Sequence, residues 1–284
     1  MKSCIFNVVF KNRSPHQAFK LASDIGYDAV ELWGKEPHIS ADTSVERLKE
    51  QKKMAAEYGL DIAAIGSYIG GFSTASDKEC KEKLEEAKKY MEVMEVLDVD
   101  LIRVGPGGPS GFEAQDYHYE KAAYWLQEIA DLAKKHNKKI GIETHGNRII
   151  ETVDETIRLL EMVDRSNLGV IHDAGNLFLC TDTEYGYETI KKLGDKIFHV
   201  HVKGERFVDD LSLPSTHKYQ TRNGERIFQQ VMLKDSQADY DSVFKGLKEI
   251  GYDGYVSTEC FAPASDIERA EGDLKEIKRL IGEE

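Results

Sequence analysis

Cysteine is scarce in this chain, and its four copies are scattered. Cys4, Cys80, Cys180 and Cys260 lie far apart and form no CxxC pair. Neither a disulfide framework nor a zinc ribbon has a basis here. An excess of positive charge is also missing: 38 lysines and arginines stand against 51 aspartates and glutamates, a net charge of −13. Nucleic acid and anionic membrane surfaces attract basic patches, so neither is the expected partner. Long apolar runs are absent too. The segment MKSCIFNVVFKNRS has only a short one, broken by Asn7, and is read as no signal peptide. No stretch approaches a membrane span. A reduced cytoplasmic enzyme is the expectation.

What is present is ordinary globular composition, 40% hydrophobic and 31% charged in 284 residues. Such a length can bury a large core without staples. The acidic residues fall mostly on solvated helix faces such as KECKEKLEEAKK.

A short apolar, β-branched run followed by an amphipathic stretch recurs along the chain. Candidate strands are Cys4–Val9, Ala29–Leu32, Ile62–Ile65, Leu101–Val104, Lys139–Glu143, Leu168–His172, Ile197–Val202 and Tyr255–Thr258. Several are apolar on nearly every residue, as strands covered on both faces should be. Candidate helices are Pro15–Ile25, Val45–Tyr58, Lys81–Leu97, Tyr119–Lys135, Val153–Met162, Tyr187–Leu193, Asp241–Ile250 and Ala264–Ile281. Ser14 before Pro15 suits a helix start, and Thr152 or Asp154 can cap the fifth helix. Eight such units in one chain of this size predict an α/β fold, a TIM (β/α)8 barrel, with residues 1–284 as a single domain. The spacing breaks once. About residues 204–239, after the seventh strand, form a long polar segment with Pro214 and Asn223-Gly224. In a barrel it overlies the active face and reads as a lid or substrate loop; an oligomer contact is the plainer alternative.

Catalytic side chains of such barrels come from the C-terminal ends of strands. Those ends carry Glu31, Arg103, Glu143, His145, His172, Asp173, Asn176, His199, His201, Lys203 and Glu259. In IGIETHG, Glu143 and His145 share a face. In FHVHVK, His199, His201 and Lys203 share a face, and His201 lies nearer the mouth. It is therefore the better ligand, with His199 beneath it. Taken singly, each has a bland reading: a salt bridge for Glu143, a core histidine for His201, a helix cap or loop acid for Asp173 and Glu259. Together, the last four strands deliver Glu143, Asp173, His201 and Glu259 to one rim. Three carboxylates and an imidazole suit one divalent ion with oxygen preference, Mn²⁺ or Mg²⁺, with Co²⁺ admissible.

IGIETH, GVIHDAGN, FHVHVK and GYVSTE resemble, in order and strand position, the sugar isomerase/epimerase group of xylose-isomerase-like TIM barrels, over essentially the whole chain. The resemblance implies one metal, Mn²⁺ first, on Glu143, Asp173, His201 and Glu259. It also implies that Glu143 and Glu259 move protons beside the carbonyl of a small sugar substrate through an enediolate. A homo-oligomer or a second subunit is a further implication.

The chain departs from the epimerase pattern twice. Asn176 stands where those enzymes often carry a histidine, and His145 follows Glu143 by two residues. Relatives with such a strand act on 3-keto sugars, and some cleave 3-keto glycosides. That makes a lyase, with His145 as proton carrier, the alternative. Asn176, Lys203, Arg103 and Trp33 are the expected substrate contacts. Trp33, Tyr68 and Phe72 either stack on a sugar or roof the core. Gly105–Pro109 is read as a shaped loop. A DNA-repair nuclease of related fold needs about three metals and a basic groove, which the charge opposes. A sugar-binding barrel without catalysis is the remaining reading.

Overall fold

In the computed structural model, which describes residues 1–282, eight parallel strands close into a barrel. In chain order the strands are β1 (Lys2–Phe6), β2 (Ala29–Trp33), β3 (Asp61–Gly66), β4 (Leu101–Arg103), β5 (Lys139–Glu143), β6 (Leu168–Asp173), β7 (Ile197–Val202), β8 (Gly204–Phe207), β9 (Thr216–Thr221), β10 (Gly224–Val231) and β11 (Tyr255–Thr258). The barrel runs β1-β11-β7-β6-β5-β4-β3-β2, while β8, β10 and β9 form a separate antiparallel sheet. The helices are α1 (Pro15–Ile25), α2 (Val45–Glu57), α3 (Asp77–Leu97), α4 (Asp116–Lys135), α5 (Val153–Val163), α6 (Ala174–Thr181), α7 (Tyr187–Leu193), α8 (Tyr240–Glu249) and α9 (Asp266–Ile281).

Local chemistry sets the boundaries. Ser14 caps α1 with a reciprocal bond to Gln17, and Ser76, Thr152 and Ser265 do the same for α3, α5 and α9. These caps move two starts away from those expected: α3 begins at Asp77 and α9 at Asp266. Gly26 and Gly251, each followed by Tyr-Asp, both sit at positive φ just past a helix.

Three expectations need correction. The first strand ends at Phe6, and residues Asn7–Phe10 turn into a buried 3-10 segment. Apolarity extended the expected strand to Val9, but a buried turn is equally apolar. Helix α6 was not expected. It is buried along its whole length, so it lacks the polar face that marks an amphipathic helix. The long segment after β7 is not an irregular loop. It folds as β8, β9 and β10, with Asn223-Gly224 at the β9–β10 turn and Gly224 at φ 102°.

Alternation along the barrel strands separates wall from mouth. Ile140 and Ile142 belong to one buried apolar cluster with Leu126 and Ile129 of α4, and Val200 and Val202 to a second with Val243 and Leu247 of α8. Glu143, His199 and His201 are left facing inward.

Asp273 of α9 ties the last helix to the 3-10 turn that follows β10, accepting the Leu233 N–H at 2.9 Å. Burial raises its carboxyl to about 6; the Leu233 N–H, the Cys260 thiol and Arg269 oppose this, and Glu276 adds to it. A raised folded-state value means that the full contribution exists below the ordinary carboxylate range and is lost as pH rises through about 6. Asp273→Asn keeps the acceptor and cannot ionise. Urea denaturation should therefore find the variant gaining about 2–3 kcal/mol on wild type between pH 4 and pH 8. Parallel stability curves would contradict this.

Candidate metal centre

The four strands β5, β6, β7 and β11 bring Glu143, Asp173, His201 and Glu259 together at the barrel mouth. One potential ligand atom from each lies within 4.8 Å of all the others. Register explains this. Asp173 pairs with His201 across β6 and β7, and His201 pairs with Ser257, two residues before Glu259, across β7 and β11.

His201 is oriented from behind. Its Nε2 lies 2.8 Å from Glu31 Oε2, and its Nδ1 turns toward the cluster, 3.1 Å from Glu143 Oε1 and 3.8 Å from Glu259 Oε2. Nε2–H donating to Glu31 leaves the Nδ1 lone pair for a metal, the usual arrangement of a carboxylate behind a histidine ligand. His199 sits one layer deeper. Its Nε2 contacts Ser257 Oγ at 2.8 Å and Glu31 Oε2 at 3.2 Å. The geometry thus favours His201 over His199 as ligand. Glu31, His199 and His201 also form a tight group, but Glu31 is already spent on two imidazoles.

Two permanent cations complete the cluster. Arg103 Nη1 bonds Glu143 Oε2 at 2.8 Å, and its Nε donates to the Ser67 carbonyl. Lys203 Nζ lies 2.9 Å from Asp173 Oδ2 and 3.1 Å from Glu259 Oε2. Its backbone is clamped by Tyr240, whose hydroxyl meets both the Lys203 N–H and its carbonyl. Although Lys203 is near, Asp173 Oδ2 has no aligned hydrogen-bond donor. Burial, with Glu143 and Glu259 close by, raises the Asp173 carboxyl to about 6 despite Lys203. Burial also opposes ionisation of Glu143, but Arg103 and then His201 outweigh it and hold that carboxyl well below the usual range. Glu31 is likewise held low, His201 and His199 overcoming its burial.

Charge decides whether the residues fit an ion. Among the described residues, the buried carboxylates Glu31, Glu143, Asp173 and Glu259 face only Arg103 and Lys203 as fixed cations. Two negative charges remain uncompensated when His201 is neutral, and uncompensated buried charge is costly. One divalent cation closes that gap. Protonating His201 closes half of it, and the imidazole is indeed held well above its usual range by Glu31 and Glu143, against its burial. The donor set fits a divalent ion.

The remaining candidates divide by distance from the cluster. His145 lines the pocket. Its Nδ1 meets the Gly146 carbonyl at 2.8 Å, so Nδ1 carries the proton and Nε2 is free to accept one. Burial keeps its basicity low. Asn176 donates from its amide to the Thr144 carbonyl and borders the neighbouring chamber. Trp33 is set back, donating to the Tyr68 hydroxyl, and Tyr68 is the aromatic that reaches the pocket. Phe72 is buried core. Gly105–Gly108 line a cavity of about 440 Å³ together with Arg103, Glu143 and Glu259. Sequence reasoning noted Glu31 at its strand end but gave it no role. Its signal was a carboxylate in an otherwise apolar inner strand, AVELW.

Across the chain, residues 19–281 match the family described as xylose isomerase-like TIM barrel. The chain belongs to that family. The 3-dehydroshikimate dehydratase of Bacillus anthracis is 23% identical to this xylose isomerase-like barrel over 274 residues, 95% of each chain. The fructoselysine 3-epimerase of Escherichia coli O157:H7 is 21% identical over 267 residues, 91% of this chain and 90% of its own. A crystal structure of the IolI protein with a binding zinc atom superposes at a TM-score of 0.78 and 21% identity, covering 99% of this chain and 98% of that one. These similarities join the chain to a family of enzymes and share its fold. Among the described residues, no helix is long and apolar enough to cross a membrane.

Because Glu31 orients His201, Glu31→Gln should weaken divalent-metal affinity about 10- to 100-fold. Calorimetric titration of chelator-treated protein with Mn²⁺ reads this directly. Unchanged affinity would remove Glu31 from the account.

Proposed function

We propose that this protein is a divalent-metal-dependent isomerase or epimerase of a small keto-sugar or sugar derivative, working by proton transfer at the carbon beside a carbonyl. The observation that carries the reading is the convergence of Glu143, Asp173, His201 and Glu259 on one point in an under-compensated pocket. The epimerase among the relatives supports the substrate class. An oxygen-rich donor set favours Mn²⁺, with Mg²⁺ and Co²⁺ as substitutes.

Glu143, Asp173, His201 and Glu259 would hold the ion, which supplies Lewis-acid stabilisation of negative charge developing on a carbonyl oxygen. Everything else falls to the chain's own groups. Glu143 and Glu259 approach from strands separated by β6 and β7 around the barrel. One carboxylate removes a proton from the carbon beside the carbonyl, and the other returns a proton to the opposite face. Arg103 keeps Glu143 ionised, the form that can accept a proton. Lys203 stands between Asp173 and Glu259, where an ammonium can donate to a sugar oxygen. Arg103 borders one of the two cavities that share Glu259, and Asn176 borders the other.

One observation favours a second reading. His145, with its free Nε2, borders both cavities that flank Glu259. A neutral imidazole there can carry a proton to or from a departing group, as cleavage of a 3-keto glycoside requires. The dehydratase among the relatives is in keeping with an elimination.

Glu143→Gln, loaded with Mn²⁺, should exchange the substrate's carbon-bound proton with deuterated water about 10²- to 10⁴-fold more slowly than wild type. NMR on a keto-sugar panel measures this, and undiminished exchange sinks the assignment. Incubation with 3-keto glycosides, followed by assay for released aglycone, separates the lyase from the epimerase.

A further inference from the structure

Glu205 of β8 is buried to 1% exposure, and Gln230 is the side chain placed to hydrogen-bond its carboxyl. Its Oε2 is enclosed and, among the described residues, unpartnered. The backbone around it is fixed: its N–H donates to Ser236 Oγ at 3.3 Å, and its carbonyl accepts the Gln237 N–H at 2.8 Å. Lys203 is the nearest cation in sequence, but it is taken by Asp173 and Glu259.

The carboxylate borders a chamber of about 280 Å³ beneath the β9–β10 hairpin. Tyr219 and Phe228 of the hairpin line it, while Asn176, Lys203 and Gln230 add polar atoms. Glu259 and His145 belong to this chamber and also to the larger cavity beside Arg103. The candidate metal centre thus has a compartment on either side. Aromatic walls with convergent polar groups suit a sugar, whose carbon faces stack and whose hydroxyls bond. A buried carboxyl with an unpartnered oxygen is costly to keep, and such groups gather where a ligand completes them. Burial, together with Asp173 and Glu259, raises this one to about 8, against Lys203 and Gln230, so it can donate as well as accept.

We propose that Glu205 is a further substrate-contacting residue: the chamber under the hairpin receives a hydroxyl-bearing end of the substrate, and Glu205 hydrogen-bonds one of its hydroxyls. This deepens the keto-sugar reading and rests on it for the substrate class.

The test uses full-length wild type, Glu205→Gln and Glu205→Leu, each loaded with Mn²⁺. Binding of D-fructose, D-psicose, D-tagatose, a 3-keto glucoside and the monodeoxy analogues of the best binder is measured by calorimetry and saturation-transfer NMR. Glu205→Leu should weaken the best binder roughly 10-fold or more, and Glu205→Gln should recover most of that loss. One deoxy analogue should bind wild type and Glu205→Leu equally. Should Glu205→Leu fail to fold, Glu205→Ala takes its place against the same deoxy series. Wild-type affinity in both variants, an equal loss for every analogue, or no binding of any panel member to wild type would overturn the proposal. Proton exchange recorded in parallel reports on the reaction separately. Binding that depends on Glu205 without exchange would defeat the epimerase reading and leave the chamber standing.

Discussion

A charge imbalance at the barrel mouth organises this molecule. Among the described residues, Glu31, Glu143, Asp173 and Glu259 are held within one small volume against only Arg103 and Lys203 as fixed cations. Such a cluster is unfavourable unless something doubly positive completes it. The rest of the site serves to hold these groups still. Glu31 steadies His201 and His199, Ser67 steadies Arg103, and Tyr240 clamps the Lys203 backbone from the neighbouring helix. These supports come from β2, the turn after β3 and α8, so distant parts of the chain steady side chains on the last strands.

The two cavities follow from the same construction. The glycine-rich turn after β4 leaves one compartment beside Arg103, and the hairpin sheet after β7 roofs another beside Glu205. Gly70 and Gly107 have positive φ, and a side chain on either would strike backbone of the facing loop, so the first compartment is shaped by backbone approach. Glu259 and His145 belong to both spaces. A substrate that reaches across them has its middle at the candidate ion and its ends in different surroundings.

Much of this was legible in the sequence because alternation and order are simple. IGIETH and FHVHVK put their polar residues on one face of a strand whose other face is plainly apolar, and the register of a parallel barrel then brings the strand ends together. Helix starts were legible at Ser14 and Thr152, whereas the caps Ser76 and Ser265 went unread and α3 and α9 begin away from the expected positions. What escaped has physical causes. A fully buried helix such as α6 carries no amphipathic signal, and Asn7–Phe10 is as apolar as the strand before it. The three-stranded sheet was hidden in a polar segment, where only Asn223-Gly224 advertised a hairpin. The role of Glu31 depends on contacts with residues about 170 positions away, which no local pattern encodes. Glu205 lies in the same polar segment, where no local pattern marks it as buried.

The most direct test of the central claim is anomalous X-ray diffraction from crystals of the chelator-treated protein soaked in Mn²⁺. The account predicts one strong anomalous peak per chain, bounded by Glu143, Asp173, His201 Nδ1 and Glu259, with the Lys203 ammonium on its flank. A peak lodged elsewhere, or a mouth that stays without manganese while Lys203 and a protonated His201 alone balance the carboxylates, would contradict it.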